Sequence, residues 1–250
     1  MLLSRDRNQL LEWREKIEQY LGRELKLELN QMRQRLQPVT NGIDFLGYVI
    51  RGDYLLVRRR VVNNLHTRLR EYEALLVKTG RYFRRYLFDE DILDKLTATI
   101  SSYLGHFKMA NTYSLCCSLW ARYPFLKQYY QLNQGKQKVA RKYKPPKGFI
   151  KARQQYCYYR WMFPGDVLLF QMGRFFEFYH ENDEKTASIL LLKQMKENKR
   201  GARYGFPITM LNGYFRMLLR ERLSVAVITE REHYWTRIKE RLPRYRFEYM

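Results

Sequence analysis

The sequence predicts an α+β fold: a small antiparallel sheet, then a helical bundle, then a compact module in which strands and helices interleave. Three observations carry this. After a first helical stretch, apolar residues alternate with polar ones between about 25 and 60 and recur at helical spacing from 61 to 132. The stretch "NQGKQKVARKYKPPKG" then runs without one acid, and beyond it strand-like and helix-like runs take turns. The chain accordingly divides into 1–60, 61–132, a basic linker over 133–148, and 149–250.

"SRDRNQLLEWREKIEQYLGREL" opens the order, with Leu10, Leu11, Ile17, Tyr20 and Leu21 at helical spacing, Ser4 placed to cap and Gly22 placed to stop. "LKLELN" alternates as a strand does. "IDFLGYVI" and "DYLLVRR", joined across Arg51-Gly52, read as a hairpin set. Three helices are expected over "VVNNLHTRLREYEALLVK", "DEDILDKLTATISSYLGHF" and "TYSLCCSLWARYPFLKQYY", with breaks near Gly80, Gly105 and Pro124. Asp89, Glu90, Asp91 and Asp94 sit where acids favour a helix start. In the last part a helix over "FIKARQQYCYYRWMF" precedes strands over "DVLLFQM" and "RFFEFY" and a helix over "NDEKTASILLLKQM". A helix over "TMLNGYFRMLLRE", a strand over "LSVAVITE", a helix over "HYWTRIKER" and a strand over "RYRFEYM" complete it.

Charge narrows the function. Lys and Arg number 47 against 25 Asp and Glu, a formal net charge of +22. So basic a surface repels itself unless a polyanion compensates it, which makes nucleic acid the leading partner class. No apolar run approaches the roughly 18 residues of a membrane span, and Arg5, Asp6 and Arg7 interrupt any leader, so a cytoplasmic protein with no membrane partner is expected. Cys116, Cys117 and Cys157 lack metal-ligand spacing. His66, His106, His180 and His233 stand apart from any Ser or carboxylate in a triad-like context, which argues against acid-base catalysis.

The words "LLSRDRNQLLEWREKIEQYL", "LKLELNQMRQRLQPVTNGIDFLGYVI" and "SYLGHFKMANTYSL" resemble the palm end and thumb of a retroelement reverse transcriptase, of the diversity-generating or group II intron kind. The resemblance implies a palm end over 1–60, a helical thumb over 61–132 gripping primer-template, and an upstream reverse-transcriptase polypeptide as partner. The aspartate pair that holds magnesium in that family would lie upstream of "LLS", so no cofactor and no polymerase activity are expected of this chain alone.

From about Phe149 to Arg237 the chain resembles the N-terminal mismatch-recognition domain of MutS. The matching words are "FPGDVLLFQMGRFFEFYHENDEKTASILL" and "RGARYGFPITMLNGYFRMLLRERLSVAVITE". Its Phe-x-Glu motif falls on Phe175 and Glu177, implying a Phe wedged against a mispaired base and a Glu hydrogen-bonded to that base. Arg174 stands where the family usually has an acid, the helix after Pro207 lacks the usual His, and no G-x-x-x-x-G-K-[ST] loop occurs.

Residues two apart in a strand share a face, so Phe175 and Glu177 point one way and Phe176 and Phe178 the other. From the residues alone the aromatic stripe reads as core and Glu177 as solvated or paired with Arg174; the resemblance adds the wedge and the base acceptor. Candidate phosphate contacts are Arg58, Arg59, Arg60, Lys142, Lys144, Lys147, Lys151, Arg153, Lys199, Arg200 and Arg203, with Arg68, Arg81, Arg84, Arg85 and Arg160 beside them. Tyr156, Tyr158, Tyr159 and Trp161 are candidates for base stacking or for packing.

Overall fold

The computed structural model describes residues 2–133, 138–143, 148–179, 183–196, 201–234 and 238–250. Their contacts form two units, Met1–Ile43 and Asp44–Met250. In the first, helix α1 (Arg7–Tyr20) is capped by Asp6, whose carboxylate accepts from the Asn8 N–H at 2.9 Å; Ser4 instead accepts from the Asp6 N–H. The helix passes through Gly22 as a wide turn over Leu21–Leu25 and stops at Lys26, which takes a left-handed φ of 54°. The strand expected over 25–30 does not form. Leu25 and Leu27 alternate but stay exposed, and alternation makes a strand only where a partner supplies a ladder.

Strands β1 (Ile43–Phe45), β2 (Tyr48–Ile50) and β3 (Leu55–Val57) make a small sheet in that order. The two-residue turn Leu46-Gly47, with φ of 47° and 89°, has the double positive φ that suits a tight hairpin. Helix α2 (Arg59–Leu76) follows and buries Leu65, Leu69 and Leu76 along one stripe. Then come β4 (Val77–Thr79) and β5 (Phe83–Leu87), two strands inside the segment read as all-helical. Helix α3 (Glu90–Phe107) starts at Asp89, which accepts from the Ile92 N–H at 3.0 Å. Helices α4 (Tyr113–Arg122) and α5 (Leu126–Tyr129) flank Pro124 as expected.

The basic stretch is in part a hairpin. Strand β6 (Tyr130–Asn133) pairs antiparallel with β7 (Lys138–Arg141), and Arg141 reaches Glu90 at 3.0 Å and Asp94 at 2.7 Å on α3. Next are α6 (Ala152–Met162), β8 (Val167–Met172), β9 (Phe175–Phe178), the short α7 (Glu184–Ile189), β10 (Tyr204–Pro207), α8 (Leu211–Arg220), β11 (Val225–Tyr234) and β12 (Lys239–Tyr249). The helix expected over 233–241 is absent from its described residues: β11 runs into it from one side and β12 from the other.

The large sheet has the order β10-β9-β8-β11-β12-β5-β4. Strand β11 runs parallel to β8; the other pairings are antiparallel. One face carries a core that joins Leu65, Leu69, Tyr86 and Phe107 to Tyr156, Tyr159, Leu168, Phe170 and Ile228. The other packs Phe176, Phe178 and Phe206 with Leu218 of α8 and Val225 and Val227 of β11. The fold is α+β with a small antiparallel sheet at its start. Because β5 pairs with β12 and one core spans both, the divisions expected at 61, 133 and 149 all lie inside the second unit.

Candidate nucleic-acid interface

The β8–β9 hairpin ends in the turn Gly173-Arg174, and Gly173 supplies its positive φ of 62°. Three contacts hold this turn. The Gly173 N–H donates to Glu230 Oε1 at 2.9 Å, the Gln171 side-chain oxygen accepts from the Glu230 N–H at 3.1 Å, and Arg241 Nε donates to the Gln171 carbonyl at 2.7 Å. Glu230 and Arg241 form an ion pair whose side chains are 9% and 4% exposed. On the other side the Ile208 N–H donates to the Arg174 carbonyl at 2.9 Å. The hairpin tip is therefore fixed from β11, β12 and the turn after β10.

On this fixed tip Phe175 is 46% exposed, while Phe176 and Phe178 are 2% and 0% exposed. Alternation is obeyed on the core side. Pro207 lies across from Phe175 in β10 and Met210 stands exposed just beyond, so the tip is apolar with Arg174 exposed beside it. Glu177 shares the face of Phe175 yet is only 6% exposed, and it accepts a hydrogen bond from the Tyr179 hydroxyl two residues on. The expected partner Arg174 is not what holds it: Arg174 lies in the turn, Glu177 mid-strand. Across from Glu177 is Gly205, where an added Cβ would meet the Phe176 carbonyl at 2.9 Å. A side chain there would push β10 away from β9.

Residues 151–244 match the family model of MutS domain I. No curated protein matches the chain. Inside the MutS domain I match, two of the words that suggested it become neighbours: Gly205, Phe206 and Pro207 pair directly with Glu177, Phe176 and Phe175. The match also covers Gln171 and Glu230 of the turn and Arg241 of β12, none of which stood out in the sequence. Glu230 ends the word "VITE" but sits midway along β11, and an acid after such a run has no local signature of a buried ion pair.

The cations divide by surroundings. Arg59, Arg60, Lys151 and Arg153 are exposed, as are Arg68 and Arg81. Arg58, Arg59 and Arg60 lead into the positive end of α2, a placement that repels cations and favours an anion nearby. Arg58 is tied to Asp44 at 3.4 Å and Arg203 to Glu184 at 2.9 Å. Lys142 turns inward to donate to the Lys127 carbonyl; burial and the nearby Arg246 push its pKa down. Arg160 donates to the Asp166 carbonyl at 2.8 Å. Lys144, Lys147, Lys199 and Arg200 lie outside the described residues.

Tyr156 and Tyr159 are core residues, 1% and 0% exposed; their hydroxyls donate to Asp183 and, at 2.6 Å, to the Arg241 carbonyl. Tyr158 packs against Phe149 with centroids 5.8 Å apart, and Trp161 is 76% exposed. Among the described residues no group of His, Cys, Asp and Glu is gathered to hold a metal, and no helix is long and apolar enough to cross a membrane.

Proposed function

We propose that the chain binds nucleic-acid duplex and probes it for mispaired or distorted bases, with Phe175 as the wedge and Glu177 as the acceptor for the displaced base. The observation that carries this is a half-exposed Phe on an anchored hairpin tip within the segment that matches MutS domain I. A wedge pays an unstacking cost of a few kcal/mol at an intact step and less at a mispair, which is already poorly stacked. Rigidity matters here, because a tip that yields cannot discriminate. Exposed Arg59, Arg60, Lys151 and Arg153 supply phosphate contacts of the sequence-independent kind. Glu177 lies behind the wedge on the same face, held by Tyr179, so a base edge meets it only after Phe175 has entered.

The test compares a matched duplex with the same duplex carrying one mispair, at fixed salt. Tighter binding of the mispaired duplex is expected, with Phe175→Ala removing the preference and sparing binding to the matched one. Equal affinity of the unaltered protein for both duplexes would overturn the reading.

The reverse-transcriptase part is proposed more narrowly: the hairpin of β1 and β2 and the helices α2 to α4 act as a palm end and thumb holding template-primer. The elements that support it are the "FLGY" turn and the helices in the expected order. Primer extension with magnesium and nucleotides is expected to be blank for this chain alone; activity that appears only on addition of an upstream polypeptide would favour instead a polymerase assembled in trans.

A further inference from the structure

The large sheet is covered unevenly. Around β9, β8 and β11 both faces are buried, one by the tyrosine-rich core and the other by α8. Along β12, β5 and β4 only one face is. There Tyr86 is 2% exposed against α2, whereas its strand neighbours Phe83, Arg85 and Leu87, on the opposite face, remain part-exposed. The register sets Phe247 across from Arg85 and Tyr249 across from Phe83, so Tyr245, Phe247 and Tyr249 stand on this same face, with Tyr245 part-buried against the α8-side core. Cover from α8 ends at Phe215, whose ring meets Phe247 at 4.6 Å.

Aromatic rings and cations interleave on the open part. Arg85 and Arg244 lie 5.5 Å and 5.7 Å from the Tyr245 ring centre, Arg222 lies 5.9 Å from that of Tyr249, and Phe83 meets Tyr249 edge-on at 5.4 Å. Lys78 on β4 extends the charge to the sheet edge, across from Arg85. Neither β4, β5 nor the Tyr245–Tyr249 end of β12 turns an Asp or Glu to this face: Glu248 points the other way and accepts from the Tyr86 hydroxyl at 3.0 Å, and Glu240, farther along β12, is 8% exposed and lies 4.0 Å from Arg231.

We infer that this open face is a second binding surface, which takes single-stranded nucleic acid by stacking bases on Tyr249 and Phe83 and by pairing phosphates with Arg85, Lys78 and Arg222. Flat rings on adjacent strands, about 4.8 Å apart, give successive bases a platform, and the interleaved cations follow the backbone. Duplex is a poor occupant, since its bases are stacked on each other and present no free ring face. An acidic peptide would satisfy the cations and leave the rings without partners. The surface is distinct from the Phe175 tip, which lies at the β8–β9 turn, separated from β12 by β11 in strand order.

The experiment uses the full chain with a short fluorescent thymidine oligonucleotide, read by anisotropy at fixed salt. Tyr249→Ala is expected to weaken binding about 10-fold and Tyr249→Phe to leave it unchanged, in line with alanine substitution at stacked bases. Arg85→Gln is expected to weaken binding and to flatten its salt dependence. Phe175→Ala should leave it untouched, while Tyr249→Ala leaves any preference for mispaired duplex as it was, so failure of this inference and failure of the wedge reading are separable. Equal weakening by Tyr249→Phe and Tyr249→Ala, or complete competition by an oligoglutamate peptide at equal charge, would overturn stacking. Thermal melts of each variant verify that the fold is retained.

Discussion

Phe175 and Glu177 occupy the same face of one short strand and meet opposite fates, one at the surface and one buried. Exposed side chains contribute little to stability, so Phe175→Ala is expected to shift it by no more than about 0.5 kcal/mol, as thermal melting would show, while abolishing mispair preference. Period-two alternation made Phe176 and Phe178 legible as core. It could not reveal that Glu177 is withdrawn, because that depends on Tyr179 and on a glycine in the neighbouring strand. Tyrosines make a second argument at this scale. Burial pushes the pKa values of Tyr130 and Tyr143 up to about 12 and raises those of Tyr129, Tyr156 and Tyr159 as well. Each of these phenols must be neutral in the fold, whereas an unfolded tyrosine ionises near pH 10. Their stabilisation is therefore full below about pH 10 and is lost as pH rises through about 12. Melting midpoints across that window should fall, and phenolate absorbance should show these five titrating only on unfolding.

At the scale of elements, the β8–β9 hairpin owes its position to a latch far away in sequence. Removing one partner of a buried ion pair leaves the other charge uncompensated, a loss of about 3 kcal/mol or more. Glu230→Ala is thus expected to lower stability by about that amount and, unlike Phe175→Ala, to weaken binding of mispaired duplex together with the fold; denaturant titration separates the two. The same scale shows why some elements escaped the sequence. "HYWTRIKER" looks helical, but its residues from Lys239 onward pair with β11, and tertiary pairing overrides local preference. "RYFRRYL" hid a strand because its open face holds arginine where sheet faces usually hold apolar residues. The long helices α2 and α3 were readable since their buried stripes are continuous. The β2–β3 hairpin was readable from the Arg51-Gly52 turn, whereas "IDFLGYVI" showed no break at Leu46-Gly47, where the chain turns between β1 and β2.

For the whole molecule, the decisive fact is that the segment matching MutS domain I does not bury its core unaided. Tyr156, Tyr159, Leu168, Phe170 and Ile228 share a cluster with Leu65, Leu69, Tyr86 and Phe107. An excised fragment 149–250 is therefore expected to lack a cooperative thermal transition, whereas the chain from Asp44 onward keeps one; circular dichroism melts would distinguish them. The net charge of +22 was legible from composition as a sign of a polyanionic partner, but not its distribution. Arg141 and Arg246 serve internal ion pairs, the latter with Asp166 at 2.7 Å, and only the fold says which cations remain for a ligand.

The pairing of β5 with β12 also governs how the chain reaches this state. The Tyr86 hydroxyl and Glu248 touch across 162 residues of sequence, so the seam between β5 and β12 closes by one of the longest-range contacts available. Such contacts repay the entropy of loop closure only late in folding, and until then the β4–β5 and β8–β11 segments each present an unpaired strand edge. Refolding from denaturant is expected to take seconds and not milliseconds, with a yield that falls as protein concentration rises. Stopped-flow circular dichroism and light scattering would follow both, and that seam is where two molecules would join by mistake.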